Sequence, residues 1–192
     1  VYDPLVSFDT NLQPSPALAE SWTVGYDGLE WFFHLRKGVK WSDGKPFTSA
    51  DVKFTYEAIM NSGLGLYSAF LEGITSIDTP DDLTVVIHTD KPKANMLQNP
   101  TPILPKHIWE AGSANFETFE DPALVGTGPF RLGKWKKGEY LSLTASPKYY
   151  GKYPSALGVV FTVFANRDTM AKSLDAGEID VGVGDQVKVA LD

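Results

Sequence analysis

The chain of 192 residues contains no cysteine. Disulfides and thiolate metal sites are thereby excluded, and the fold must hold by packing and hydrogen bonding. No apolar run approaches the roughly 20 residues that a membrane-spanning helix requires, and no basic start precedes an apolar stretch as in a secretory leader. The first residues are Val1-Tyr2-Asp3 without a methionine, as expected of a processed or trimmed polypeptide. Positive charge is in short supply: 17 Lys and Arg face 24 Asp and Glu, a net charge of −7. A nucleic-acid partner needs clustered cations and is disfavoured on that ground. Lys134, Lys136 and Lys137 do sit together, but in a short stretch that reads as a solvated turn.

The marks of enzyme chemistry are missing too. There is no G-x-S-x-G, no H-E-x-x-H and no G-x-x-x-x-G-K-[ST]. Candidate carboxylate pairs are Asp43 with Glu57 and Asp81 with Asp82. Adjacent turn carboxylates are solvated, and no apolar pocket is in evidence to raise the pKa of one of them. His107 at a helix start and His88 on a strand read as packed or hydrogen-bonded residues rather than metal ligands. What is present is apolar and aromatic: 43% hydrophobic residues, enough for a proper core, and 12% aromatics with five Trp.

The most legible stretch is residues 29–60, LEWFFHLRKGVKWSDGKPFTSADVKFTYEAIM. Leu29, Trp31, Phe33 and Leu35 alternate onto one face of a strand, Leu29–Arg36. Lys37-Gly38 interrupts it, Val39-Lys40-Trp41 resumes it, and Ser42-Asp43-Gly44 has the chemistry of a tight turn. Thr48 with Asp51 forms a capping box, or Ser49 caps one residue later. Val52, Tyr56, Ile59 and Met60 then follow at helical spacing, so the helix ends near Asn61.

Together with Pro16–Trp22 and Asp27-Gly28 this block resembles the signature region of the dipeptide/oligopeptide/nickel-binding family, family 5, of ABC-transporter extracellular solute-binding proteins. Leu35-Arg36, Trp41-Ser42-Asp43-Gly44, Pro46 and Asp51-Val52 fit in order, and so do Lys106-His107-Ile108-Trp109, Gly126-Thr127-Gly128-Pro129-Phe130, Pro147-Tyr149-Tyr150-Gly151 and Leu174–Val181. Tyr150 stands where the family has Trp. The resemblance runs along essentially the whole chain and implies an N-proximal part of a longer protein, lacking a first strand and the second lobe.

Around that block, Val1–Phe8 reads as a strand entry broken by Pro4, Thr10–Ser15 as a polar loop and Leu18–Val24 as a strand turned at Tyr26-Asp27-Gly28. After a link through Gly63 and Gly65, Tyr67, Phe70 and Leu71 share a helical turn. Ile74–Ile77 and Leu83–Thr89 form a hairpin at Pro80-Asp81-Asp82. Lys93–Gln98 is a short helix, Asn99–Pro105 is held extended by three prolines, and Pro105 suits the first position of the next helix. Phe116 and Phe119 anchor an acidic stretch. The Gly126 and Gly128 backbone turns tightly, and Phe130–Trp135 and Tyr140–Thr144 pair as a hairpin. Val159–Ala165, apolar on both sides, reads as a central strand. Asn166 or Asp168 caps a helix with Met170, Ala171 and Leu174 inward, Gly177 stops it, and a strand begins at Glu178–Val181.

The expected fold class is α/β (mixed α+β), a periplasmic-binding-protein-like type II lobe. The resemblance implies that residues 1–15 and 120–192 belong to a large lobe's sheet, with 16–119 a smaller β-rich subdomain. It implies an extracytoplasmic receptor, not an enzyme, that closes on a peptide or similar small solute and delivers it to the permease subunits of an ABC importer. A monomer is expected, periplasmic or extracellular, touching the membrane only through a lipid anchor or signal outside these residues. No cofactor and no metal are implied. The ligand-binding residues are expected to be Tyr67, Phe70, Asp3, Asn99 and Thr101. The alternative is a stand-alone carbohydrate-binding module, which requires a row of exposed aromatics, or an oligosaccharide receptor of the same family.

Overall fold

A computed structural model describes residues 1–62, 65–111, 121 and 123–183. In chain order the elements are β1 (Val6–Phe8), β2 (Pro14–Pro16), β3 (Ala19–Val24), β4 (Glu30–Leu35), α1 (Ser49–Ser62), α2 (Gly65–Leu71), β5 (Ile74–Asp81), β6 (Thr84–Thr89), a 3-10 turn (Met96–Gln98), α3 (Lys106–Trp109), β7 (Phe130–Lys136), β8 (Tyr140–Ala145), β9 (Gly158–Thr162) and α4 (Arg167–Asp175). The expected mixed helix-and-sheet class is what forms. Among the described residues every strand pairing is antiparallel.

Alternation builds the main sheet, ordered β3-β4-β6-β5. Phe33 lies opposite Trp22 on one side and Val85 on the other, and Trp31 lies opposite Ile87. Phe33, Leu35, Val85 and Ile87 are buried together, and the Trp31 and Phe33 rings stack at 6.4 Å. α1 lays Val52, Tyr56 and Ile59 onto this layer, each at most 3% exposed. β5 extends to Asp81 rather than stopping at Ile77. It accommodates Pro80 because it pairs only with β6, and a register shift falls between Asp78 and Asp81. The polar stretch Thr10–Ser15 is likewise not all loop, since Pro14 and Ser15 belong to β2.

The stretch between β4 and α1 departs from the expected second strand: Lys40 and Pro46 form one isolated bridge and nothing longer. Trp41 N donates to Lys45 O at 2.9 Å and Phe47 N to Val39 O at 3.0 Å, closing that bridge, while Ser42 N donates to distant Gly126 O at 2.9 Å. The turn itself is as expected, with Gly44 at φ 93° and Lys45 N donating to Asp43 Oδ1 at 3.1 Å. The excursion buries Trp41, 2% exposed, edge-on to Phe47 at 5.9 Å.

Asp51 ties the two layers together. Its Oδ2 accepts the Thr48 N–H at 2.9 Å, the carboxylate half of the capping box. Its Oδ1 accepts the Lys106 N–H at 2.9 Å, so one carboxylate caps both α1 and α3. Ser49 is not the cap; its hydroxyl donates to Asp81 O at 2.6 Å. Pro105 precedes the first helical residue rather than occupying it, because the capped N–H is that of Lys106. Burial raises the Asp51 pKa, and the two N–H donors only partly offset it. Thr55 completes the seam, with its Oγ1 accepting the Leu104 N–H at 3.0 Å.

Residues 1–5 are stitched between these segments. Gly128 N donates to Val1 O at 2.6 Å, Ile103 N to Asp3 O at 3.0 Å and Ala19 N to Leu5 O at 2.9 Å. A Cβ on Gly126 or Gly128 would overlap the Val1 carbonyl. Close backbone approach, and not a tight turn, is what these glycines permit.

The second sheet runs β7-β8-β9. Here β9 is not central: among the described residues it pairs with β8 alone, and Val160 and Phe161 are 64% and 56% exposed. In α4, Asn166 Oδ1 accepts the Thr169 N–H at 3.0 Å as the expected cap. Met170 is only half-buried, however, and Ala171 and Leu174 are exposed. No strand forms over residues 178–183. Apolar periodicity reports what an element is able to bury, and among the described residues no further layer covers this sheet. Gly63, Phe116 and Phe119 lie outside the described residues.

Two substitutions test this frame in urea denaturation. Asp51→Ala, which strands two N–H donors, should cost about 2–4 kcal/mol. Trp41→Ala should cost about 3–5 kcal/mol. An unshifted midpoint in either would place that residue outside the core seam.

Candidate ligand-binding site

Asp3, Asn99 and Thr101 are brought to one seam, although 96 residues of chain separate Asp3 from Asn99. The Ile103-to-Asp3 backbone bond holds the two segments side by side at 3.0 Å. Asn99 Oδ1 accepts the Thr101 N–H at 3.0 Å, which fixes the extended backbone between prolines. Asn99 is 6% exposed and Thr101 0%. Yet Asn99 Nδ2 and Thr101 Oγ1 have no hydrogen-bond partner among the described residues. Two buried polar atoms left unpaired within three residues are uncommon in a packed wall and mark it as a place of interest.

Tyr67 and Phe70 are elsewhere in the arrangement. Both lie half-buried on α2, with Tyr67 packed on the edge of the core. Among the described residues no hydrogen bond or ring contact joins either of them to Asp3, Asn99 or Thr101, whose side-chain bonds run from Tyr150 to Asp3 and from the Thr101 N–H to Asn99. The five expected residues therefore form a seam of three and a separate helical pair.

Asp3 also opens onto a cleft of about 270 Å³ that includes Arg36, Tyr149 and Tyr150. The Tyr150 hydroxyl donates to Asp3 Oδ2 at 2.8 Å. The Arg36 guanidinium lies over the Tyr150 ring at 5.2 Å, and Arg36 Nε donates to Ala17 O at 3.2 Å. Burial pushes the Asp3 carboxyl above its usual range, partly offset by the Tyr150 hydrogen bond. Burial first, then the facing Asp3 charge, pushes the Tyr150 phenol above the usual tyrosine range. Tyr150 is thus a neutral donor at physiological pH. Sequence reasoning named Asp3 as a candidate but neither its partner Tyr150 nor the Arg36 that lies over the Tyr150 ring. Their only sequence signal was membership in matched blocks, since the hydrogen bond spans 147 positions.

The acid–base alternatives resolve into structural roles. Asp43 Oδ2 meets His107 Nε2 at 2.7 Å, and His107 packs edge-on to Trp41 at 6.4 Å. Burial alone would raise the Asp43 pKa, but the Lys45 N–H and His107 outweigh it and hold the carboxyl below its usual value. Glu57 pairs with Lys53 one helical turn away at 3.8 Å. Asp81 Oδ1 accepts the Leu83 N–H at 2.8 Å within the β5–β6 turn. His88 sits between Asp78 at 3.0 Å and Glu30 at 3.3 Å on the neighbouring strands. Among the described residues no group of three or more His, Cys, Asp or Glu is placed to hold a metal ion. Of the Trp residues, Trp41 is buried and Trp22 and Trp31 pack on the core, so they do not supply the exposed row that a carbohydrate-binding module needs.

A sequence profile described as "Bacterial extracellular solute-binding proteins, family 5 Middle" matches residues 13–189. The chain belongs to this family. It is 36% identical over 187 residues, 93% of its length, to a Brucella ovis protein that carries the name of an ABC transporter peptide-binding protein. Among solved structures, the fold superposes with a TM-score of 0.85 at 32% identity on NikZ from Campylobacter jejuni, in complex with Ni(L-His). It superposes at 0.84 and 31% on the oligopeptide-binding protein AppA from Bacillus subtilis, in complex with a nonapeptide. Both superpositions cover 93% of this chain, and 36% and 37% of those proteins. The chain spans about a third of the length of the relatives it matches. Its type II lobe fold is that of the family 5 binding proteins.

The Asp3–Tyr150 contact yields a pH test. A carboxyl with a raised native pKa favours folding most below its unfolded value near 3.8, and that contribution fades as pH rises through the native pKa. Asp3→Asn keeps an acceptor for the Tyr150 hydroxyl and removes the buried charge. Its stability relative to the parent should therefore improve from pH 4 to pH 7, read as urea midpoints at each pH. Tyr150→Phe should do the reverse, costing about 1–3 kcal/mol at pH 7. A pH-independent difference for Asp3→Asn would remove Asp3 as a buried titrating group.

Proposed function

We propose that this chain is part of the extracytoplasmic substrate-binding component of an ABC importer, a receptor that closes two lobes on a peptide or similar small solute and passes it to the permease. The observation that carries the reading is the match of almost the whole chain, in sequence and fold, to binding proteins solved with a nonapeptide and with Ni(L-His) bound. In this reading the protein is a periplasmic or extracellular monomer, held at the cell surface by a lipid anchor where no outer membrane retains it. Residues 1–15 and 120–192 contribute to the sheet of the large lobe, and 16–119 form the smaller subdomain beside it.

The mechanism is binding without covalent chemistry. A ligand that touches both lobes is held more tightly by the closed state than by the open one, and that difference in affinity is what drives closure. This chain would supply one wall. Asp3, Asn99 and Thr101 form its polar part, with the unpaired Asn99 Nδ2 and Thr101 Oγ1 in support. Tyr67 and Phe70 would supply aromatic contact from α2, large in area and low in entropy cost.

Native mass spectrometry of the full-length protein, purified from its host, tests the reading. A stoichiometric co-purified mass in the range of a short peptide or small solute is expected, displaceable by a peptide mixture. A bare protein that no peptide pool shifts in melting temperature would overturn it. Within that protein Tyr67→Ala should weaken binding about tenfold, and Thr101→Val, which keeps the volume and deletes the hydroxyl, several-fold. Both should leave the melting temperature within a few degrees of the parent, and an unchanged dissociation constant would remove the residue from the site.

A further inference from the structure

A second cleft, of about 570 Å³, lies between the loop of residues 38–44 and the start of the β7–β8 sheet. Lys40, Arg131 and Lys148 border it from three separate segments: that loop, β7, and the turn after β8. None of the three is in an ion pair among the described residues. The one acidic residue on the lining is Asp43. Its carboxylate is already committed to His107 at 2.7 Å and to the Lys45 N–H at 3.1 Å. Thr127 also lines the cleft, 4% exposed, with a hydroxyl that has no partner among the described residues. In a chain of net charge −7, three uncompensated cations around one cavity invert the local field.

We propose that this cleft is a binding site for a small multivalent oxyanion, distinct from the seam of Asp3, Asn99 and Thr101. Lys40, Arg131 and Lys148 supply charge from three directions, Arg131 adds a planar fork that matches carboxylate or phosphate oxygens, and the Thr127 hydroxyl donates from the cavity wall. The volume is within the range of small-molecule sites and far exceeds that of a monatomic anion. Convergent cations of this kind favour a ligand carrying two or three negative charges over a neutral solute or a cation. The polyanion chemistry is common to a phosphorylated solute and a polycarboxylate, and the two are separable by experiment.

Calorimetric titration of the intact protein with citrate and, separately, inorganic phosphate tests the site. Saturable binding of one equivalent is expected for at least one anion, and the tighter of the two names the ligand class. The Arg131→Gln/Lys148→Gln double variant should raise that dissociation constant by about tenfold or more, and Thr127→Val by about threefold. Lys134→Gln on the neighbouring hairpin, outside the lining, should leave it unchanged. Absence of saturable binding for both anions, or equal weakening by Lys134→Gln, would overturn the proposal. Failure here leaves the peptide-binding reading standing, since that rests on different residues and a different ligand.

Discussion

The arrangement turns on a single buried carboxylate. Asp51 receives the Thr48 N–H at the start of α1 and the Lys106 N–H at the start of α3, 55 residues further along the chain. Either bond alone would be ordinary helix capping. Together they fix the position of α3 against α1, and the Thr55 hydroxyl repeats the connection one turn along through Leu104. The segment that leads into α3 contains Asn99 and Thr101, and their distance from Asp3 is set by where Ile103 is held. The seam therefore depends on a charge that costs free energy to bury. Its pKa is raised because desolvation exceeds what two N–H donors return.

Local signals were read well where the information was itself local. The alternation of Trp31, Phe33 and Leu35, the spacing of Val52, Tyr56 and Ile59, the Asp43-Gly44 turn and the Asn166 cap each involve residues within a few positions of one another. The errors share the opposite character. The second strand after Lys37-Gly38 shrinks to the single Lys40–Pro46 bridge, and the Ser42 N–H beyond it goes to distant Gly126. β9 carries the apolar pattern of a central strand, but whether a strand is central is decided by its neighbours in space, and among the described residues β8 is the one it has. The inward face assigned to α4 fails for the same reason.

The site was legible only in part, for a related reason. Asn99 and Thr101 were expected there on the family resemblance alone, and the structure adds that both side chains are buried with one atom each unpaired. The partner of Asp3 was beyond reach. Nothing in spacing links it to Tyr150 across 147 positions or to an Arg36 stacked on that same ring. The phenol hydroxyl of Tyr150 reaches the Asp3 carboxylate at 2.8 Å and is the donor matched to it.

As the wall of the proposed clamp, this seam would gain from being rigid before the ligand arrives. Prolines at 100, 102 and 105 restrict the backbone, and the Asn99-to-Thr101 bond fixes what they leave free. Less conformational entropy then remains to be lost on binding, which is how a preformed wall raises affinity without adding contacts. The unpaired Thr101 hydroxyl acts in the same direction in the proposed clamp. An unsatisfied buried group raises the free energy of the open state, and a ligand or a closing lobe that satisfies it recovers that cost only in the closed state. An interaction available in one state and absent from the other is the one kind that shifts the equilibrium between them. In the proposed clamp, apolar burial by Tyr67 would add affinity in proportion to its area, whereas the polar seam would add it selectively, because a partner lacking the matching hydrogen-bonding group leaves the penalty in place.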